Sequence, residues 1–199
     1  MKTTFIAAAL GVALALSSTV SLAITLRLNP ATLEVAVGDT VTLDLKVDEL
    51  GDGIAPSLSV YDLDVTYDPA LFGFLSATFG TGLDVLNFGF NFPEATNDVT
   101  GTVNLVEVSL DTVADLNDLQ PASFTLATLT FTTKAVGSSR LGLVVNALGD
   151  AAGNEFFEPT ITGGNVTITE AVTTAPEPAS TALWAVGLLG LLVTHRRVR

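Results

Sequence analysis

The sequence predicts an all-β domain, a sandwich of about nine short strands, and three observations carry that expectation. Apolar and polar residues alternate with period two through most of 24–170. Turn-forming Gly, Asp, Asn and Pro residues interrupt the alternation at short intervals. No stretch of this region holds a helical period over ten residues. Strands of this kind bury one face each, and two sheets packed face to face bury all of them together.

The chain has 199 residues, a length that suits one domain, and with 48% apolar and 15% charged residues it lacks the composition of a disordered chain. It contains no cysteine, which excludes disulfide scaffolds, thiolate zinc sites and cysteine nucleophiles. His195 is its single histidine, so Ser-His-Asp triads and His-rich metal sites are also poorly served. A sandwich of this size is expected to hold together by burial alone.

Residues 1–23 have the order of a secretory signal peptide. Lys2 precedes the apolar run 5–16, and the small residues Ser21 and Ala23 mark a cleavage position after Ala23. The domain itself then spans 24–170. Its first predicted strand places Leu33, Val35 and Val37 on one face. After the Gly38-Asp39 turn, Val41, Leu43, Leu45 and Val47 alternate with Thr42, Asp44, Lys46 and Asp48. A third strand turns Tyr61, Leu63, Val65 and Tyr67 inward and Asp62, Asp64 and Thr66 outward, and stops at Asp68-Pro69 because proline has no N–H for the ladder.

Two later strands slip phase. Val103 and Leu105 are followed in the other register by Val106, Val108 and Leu110, and Phe124 and Leu126 give way to Leu129 and Phe131. A β-bulge in each strand accounts for the slip; the alternative is a strand buried on both faces. Leu141, Leu143 and Val145 form a further strand, and Val166 with Ile168 the last, after Gly163-Gly164.

Several groups invite a chemical reading. Asp62 and Asp64 share a strand face at a spacing of about 7 Å, near that of some glycosidase carboxylate pairs. Because they alternate with the apolar face, they are expected to be solvated, without the burial that a catalytic acid needs, and to serve as a charged outer face. Asp48, Glu49 and Asp52 in one loop, and Asp150, Asn154 and Glu155 in another, offer hard oxygen ligands; Asp48, Asp52, Asp150 and Asn154 are the calcium candidates, although neither loop has EF-hand spacing. Leu86, Phe88, Phe90 and Phe92 form a stripe with period two, which is read as core. If part of it is exposed, a protein partner fits it better than a sugar does, because sugar platforms use Trp or Tyr.

Charge narrows the partners. Between 24 and 175 only Arg27, Lys46, Lys134 and Arg140 are basic, against 20 of the 21 acidic residues, so the body carries a net charge of −16. Nucleic acid and anionic lipid surfaces are poor partners for such a body, since both are polyanions. Divalent cations and basic protein surfaces remain.

The chain closes with Pro176-Glu177-Pro178 at the end of a linker spanning 171–178. The apolar block 179–193 follows, with Trp184 near its outer end, and then His195, Arg196, Arg197 and Arg199. A helix over that block rises about 22 Å, short of the ~30 Å hydrocarbon core. The order of proline stop, apolar block and arginine cluster nevertheless favours a short transmembrane helix within 179–199, its cations retained inside the cell. These residues resemble the PEP-CTERM sorting signal of exported proteins in Gram-negative, biofilm-forming bacteria. The resemblance implies that Pro176, Glu177 and Pro178 are recognised by an exosortase-type membrane protease. Arg196 and Arg197 would be the stop-transfer charges of a transient inner-membrane anchor, and the product would pass to the cell surface or extracellular matrix.

A second resemblance spans roughly 25–170. Asn29-Pro30, 37–41 (Val-Gly-Asp-Thr-Val), 61–69 (Tyr-Asp-Leu-Asp-Val-Thr-Tyr-Asp-Pro), 149–154 and 164–168 are similar to cohesin domains, in particular to the cohesin-like domains of PEP-CTERM proteins. It implies a nine-stranded jelly-roll sandwich related to carbohydrate-binding modules. In cellulosomes such domains bind dockerins; this chain has no dockerin-like duplicated calcium loop. The sequence therefore reads as an exported, non-catalytic binding or adhesion module with an extracellular protein or polysaccharide ligand, the alternatives being an exopolysaccharide-binding module and, more distantly, a glycosidase. No catalytic residue and no obligate cofactor is assigned.

Overall fold

The computed structural model describes residues 24–156 and 158–171. The predicted signal peptide, the PEP tripeptide with its apolar block, and Arg196 and Arg197 lie outside the described residues, among which no helix is long and apolar enough to cross a membrane.

The described chain forms eleven strands and one short helix: β1 (Thr25–Asn29), β2 (Thr32–Ala36), β3 (Thr40–Asp48), β4 (Leu58–Thr66), β5 (Phe72–Phe79), β6 (Asn91–Thr96), β7 (Thr102–Ser109), α1 (Val113–Leu119), β8 (Phe124–Thr133), β9 (Gly137–Asp150), β10 (Thr160–Thr162) and β11 (Gly164–Thr169). They build two sheets, one of five strands in the order β10-β1-β3-β8-β5 and one of six in the order β2-β11-β9-β4-β7-β6. The expected sandwich is present, with more strands than the nine anticipated. β1, β5, β10 and most of β6 lie outside the strands located in the sequence; β1 and β10 pair in parallel at one edge of the five-stranded sheet.

The inner faces supply the core. Leu43, Leu45 and Val47 of β3, Tyr61, Leu63 and Val65 of β4, and Leu129 and Phe131 of β8 are buried, as their alternation requires. Phe131 is the centre of an aromatic cluster. The rings of Tyr67, Phe72 and Phe74 meet it edge-on at centroid distances of 5.2, 6.1 and 5.7 Å, geometry that suits the ring quadrupoles.

Of the two expected bulges, one exists. The pairing of β3 with β8 jumps between Leu45↔Ala127 and Lys46↔Thr125, leaving Leu126 as the extra residue, so that Leu126 and Ala127 are both buried. The other expectation is corrected. β7 runs without interruption against β4, from Val60↔Val108 to Thr66↔Thr102. Its inner row is Val103, Leu105 and Glu107, the last only 1% exposed, while Val108 faces outward. The sequence looked slipped because a carboxylate holds an inward position and valines hold the outward ones.

α1 is seven residues long, too short to give a helical period. The Thr112 hydroxyl accepts the Asp115 N–H at 3.2 Å and donates to the Asp115 carboxylate at 2.6 Å, satisfying donors that the helix start leaves free. Gln120, at its end, is buried. Its side-chain amide donates to the Leu58 and Gly82 carbonyls while its oxygen accepts the Leu58 N–H, which fastens α1 to β4 and to the loop after β5.

Candidate functional site

Paired residues on adjacent strands share a face, so the register defines the outer surface of the six-stranded sheet row by row. Phe92, Val108 and Val60 form one row across β6, β7 and β4; Glu94, Val106 and Asp62 form the next; Thr96, Asn104 and Asp64 form the third. β9 continues these rows with Gly149, Ala147 and Val144. The expected outward placement of Asp62 and Asp64 is therefore met. Asn104 Nδ2 donates to both carboxylates, at 2.6 and 2.8 Å, and Asn146 donates to Asp62 at 3.1 Å. The amides hold the two acids side by side while leaving them half-exposed. Clefts of about 220 Å³, beside Asp64, Asp98 and Asn104, and about 260 Å³, beside Val60, Gly149 and Asn154, flank this centre. Among the described residues of the sheet, Arg140 is the one basic side chain, at the corner where β9 pairs with β11.

The aromatic stripe is corrected outright. Phe88, Phe90 and Phe92 are 69%, 49% and 65% exposed. Phe88 and Phe90 belong to the loop between β5 and β6, where Asn87 and Gly89 adopt positive φ of 57° and 73°. Such backbone breaks a strand, and glycine takes it without strain. Apolar exposure continues from Phe90 and Phe92 to Leu110 and Val108.

Behind this surface lies a buried polar group that sequence reasoning missed. Tyr61 Oη donates to Glu107 Oε2 at 2.8 Å, and Asn91 Nδ2 donates to Glu107 Oε1 at 2.7 Å. Burial pushes the Glu107 carboxyl above its ordinary value of 4.5. The hydrogen bonds from Asn91 and Tyr61 pull it back in part, and the charge of Asp84 pushes it up. Burial and the Glu107 charge likewise push the Tyr61 phenol up, so it stays a neutral donor. The one signal available in the sequence was Tyr61 itself, since an inward hydroxyl needs a partner.

A carboxyl raised on folding binds its proton more tightly in the native state. The stability it contributes is full below the ordinary value of 4.5 and is lost as pH rises through the raised native one. Glu107→Gln removes this titration. The variant is expected to gain in stability on the wild type as pH rises above 4.5. Denaturant unfolding of both proteins across this rise in pH checks it; a difference that stays constant with pH overturns the assignment.

The calcium candidates are engaged in local contacts. Arg27 grips Asp48 at 2.7 and 3.1 Å, Ser123 also donates to Asp48, and Thr25 donates to Glu49 at 2.6 Å. Asp52 is exposed in its loop. Asp150 accepts from the backbone and side chain of Asn154, at 2.7 and 2.9 Å. Among the described residues no group of three or more His, Cys, Asp or Glu is placed to hold a metal ion.

The two facing sheets and their strand order define a protein of the β-sandwich class. It belongs to the cohesin family: the cohesin domain model matches residues 26–175. The sixth cohesin of Acetivibrio cellulolyticus scaffoldin B, solved in complex with a dockerin, superposes with a TM-score of 0.59 at 20% identity, over 73% of this chain and 99% of that one. A type I cohesin–dockerin complex from Clostridium thermocellum gives 0.57 at 17%, with 73% and 99% covered. A non-cellulosomal cohesin of the archaeon Archaeoglobus fulgidus gives 0.55 at 15%, with 74% and 91% covered. No curated protein matches the sequence.

Proposed function

We propose that the protein is an exported docking module that binds a dockerin-type protein through the outer face of β9, β4, β7 and β6. The observation that carries this reading is the face itself. Asp62 and Asp64 are clamped by Asn104 and bordered by the outward valines Val60, Val106 and Val108 and by Phe92. Apolar neighbours that exclude water from a fixed polar group strengthen its contacts with a protein partner. The carboxylates are half-exposed and tied to amides, an arrangement suited to recognition and not to proton transfer. The terminal segments complete the reading: the signal peptide exports the chain, the membrane block holds it transiently, and cleavage by an exosortase-type protease at Pro176-Glu177-Pro178 releases it to the cell surface or matrix.

Titration with purified dockerin domains and with purified exopolysaccharide tests the docking. Saturable binding to a dockerin, abolished by Val106→Asp, is the expected result. Retention on polysaccharide alone would replace this reading with a carbohydrate-binding one. The intact mass of the mature protein tests the sorting, with an end near Pro178 expected and an intact Arg199 terminus excluding it.

A further inference from the structure

The loop between β5 and β6 is built in a way that folding alone does not explain. It carries two large rings in water, Phe88 and Phe90, packed edge-on with centroids 5.8 Å apart, and it holds them with a carboxylate that is itself 8% exposed. Asp84 accepts the N–H groups of Phe88 at 3.0 Å, Gly89 at 2.9 Å and Phe90 at 3.4 Å. Asp111 accepts the Val85 N–H at 2.8 Å, and Phe90 O accepts the Leu110 N–H at 2.7 Å. Leu83 anchors the near end in the core at 1% exposure. Loop tips that expose apolar side chains gain little from being ordered, and burying a carboxylate to order them is a cost to the isolated fold. The same arrangement lowers the entropy lost when the rings meet a partner.

The surroundings specify that partner. Next to the loop, Leu110, Phe92 and Val108 are also exposed, and the pairing of Phe92 with Val108 carries this apolar surface onto the sheet face. Between Lys46 and Lys134 the sequence holds no Lys, Arg or His, and this stretch supplies all of β4 to β7, the loop and α1. Asp62 and Asp64 at the centre of the face, with Glu94 on the edge strand β6 and Asp98 just after it at the rim, leave it strongly negative. A second copy of the chain, with a body charge of −16, would meet this face with like charge.

We propose that Phe88 and Phe90, positioned by Asp84, form a preorganised anchor that enters an apolar socket on a basic protein partner and extends the docking face beyond β6. This rests on the sheet-face reading above and assigns the chemistry of the partner to it.

Photo-crosslinking in producing cells tests both, with benzoylphenylalanine placed in the full chain at Phe88, Phe90, Val106 or, as control, Ile161 on β10. The expected result is one protein captured from Phe88, Phe90 and Val106 but not from Ile161, through peptides rich in Lys, Arg and aliphatic residues. Capture from Val106 alone overturns the anchor and leaves the sheet-face reading standing. Capture of a lipid, a polysaccharide or a second copy from Phe88 or Phe90 overturns the partner chemistry. Absence of adducts at Phe88, Phe90 and Val106 overturns both. Asp84→Asn presents an N–H₂ to one of the three backbone donors. It is expected to speed amide exchange at Phe88 to Phe90 by about tenfold or more and to lower adduct yield there while sparing Val106. Undiminished yield at Phe88 and Phe90 overturns the role of Asp84.

Discussion

Replacing Asp62 and Asp64 together by lysine is expected to weaken binding of the dockerin-type partner by at least about 100-fold, equivalent to about 2.7 kcal/mol. The two carboxylates occupy the middle of the outer face, on adjacent rows of β4, and Asn104 holds both. Their reversal places two cations opposite a surface that the stretch without Lys, Arg or His selects to be cationic. Like-charge juxtaposition at an interface costs several kcal/mol, more than the loss of two attractive contacts. The fold tolerates the change, because both side chains are half-exposed and the hydrogen bonds lost are worth about 1 kcal/mol each. Calorimetric titration of the double variant against wild type checks it, with Lys46→Glu on the other sheet as a control that leaves affinity unchanged. Wild-type affinity is expected to fall as salt rises, and this dependence to weaken in the double variant. An affinity within about threefold of wild type would remove this face from the interface.

The outward aspartates were legible because they alternate with residues whose burial is simple. Tyr61, Leu63 and Val65 have one apolar role, so parity alone places Asp62 and Asp64. The same reasoning misassigned β7, where the buried carboxylate of Glu107 belongs to the inner row and Val106 and Val108 to the outer one. Binary patterning treats every charge as outward and every valine as inward. It fails where a polar group is satisfied across strands by residues distant in sequence, here Tyr61 and Asn91. The phenylalanine stripe failed for a related reason. Period two implies a strand only if the intervening residues hold extended backbone, and Asn87 and Gly89 do not. Asp84, which shapes that loop, acts on backbone N–H groups four to six residues away, a contact that side-chain periodicity does not register. Both failures fall on the surface proposed to bind, where residues serve a partner as well as the core.

Phe131→Ala is expected to cost about 3–5 kcal/mol, the usual range for removing a buried phenyl ring. Phe131 is fully buried and in edge-on contact with Tyr67, Phe72 and Phe74, which belong to different segments of the chain. Phe72 and Phe74 lie on β5, paired to β8, and Tyr67 follows β4 in the opposite sheet, so the ring joins the two layers. Three ring walls, two held on β5 and one just past the end of β4, cannot collapse far into the vacated space, and the loss belongs toward the upper end of that range. A domain of this size holds about 5–15 kcal/mol in total, and without cysteine it has no cross-link to restrict its unfolded state. Thermal unfolding is therefore expected at a midpoint roughly 10 °C or more below that of the wild type. Phe131→Leu, which fills most of the volume, is expected to recover at least half of the loss. A fall below about 1 kcal/mol for Phe131→Ala would mean that the aromatic cluster is not a principal joint between the sheets. The aromatic loop supplies an internal comparison. It is fastened by Asp84, Asp111 and Leu110 and not by the Phe131 cluster, so under native conditions Phe131→Ala should leave the exchange of the Phe88 and Phe90 amides unchanged until opening of the whole domain becomes their fastest route to solvent.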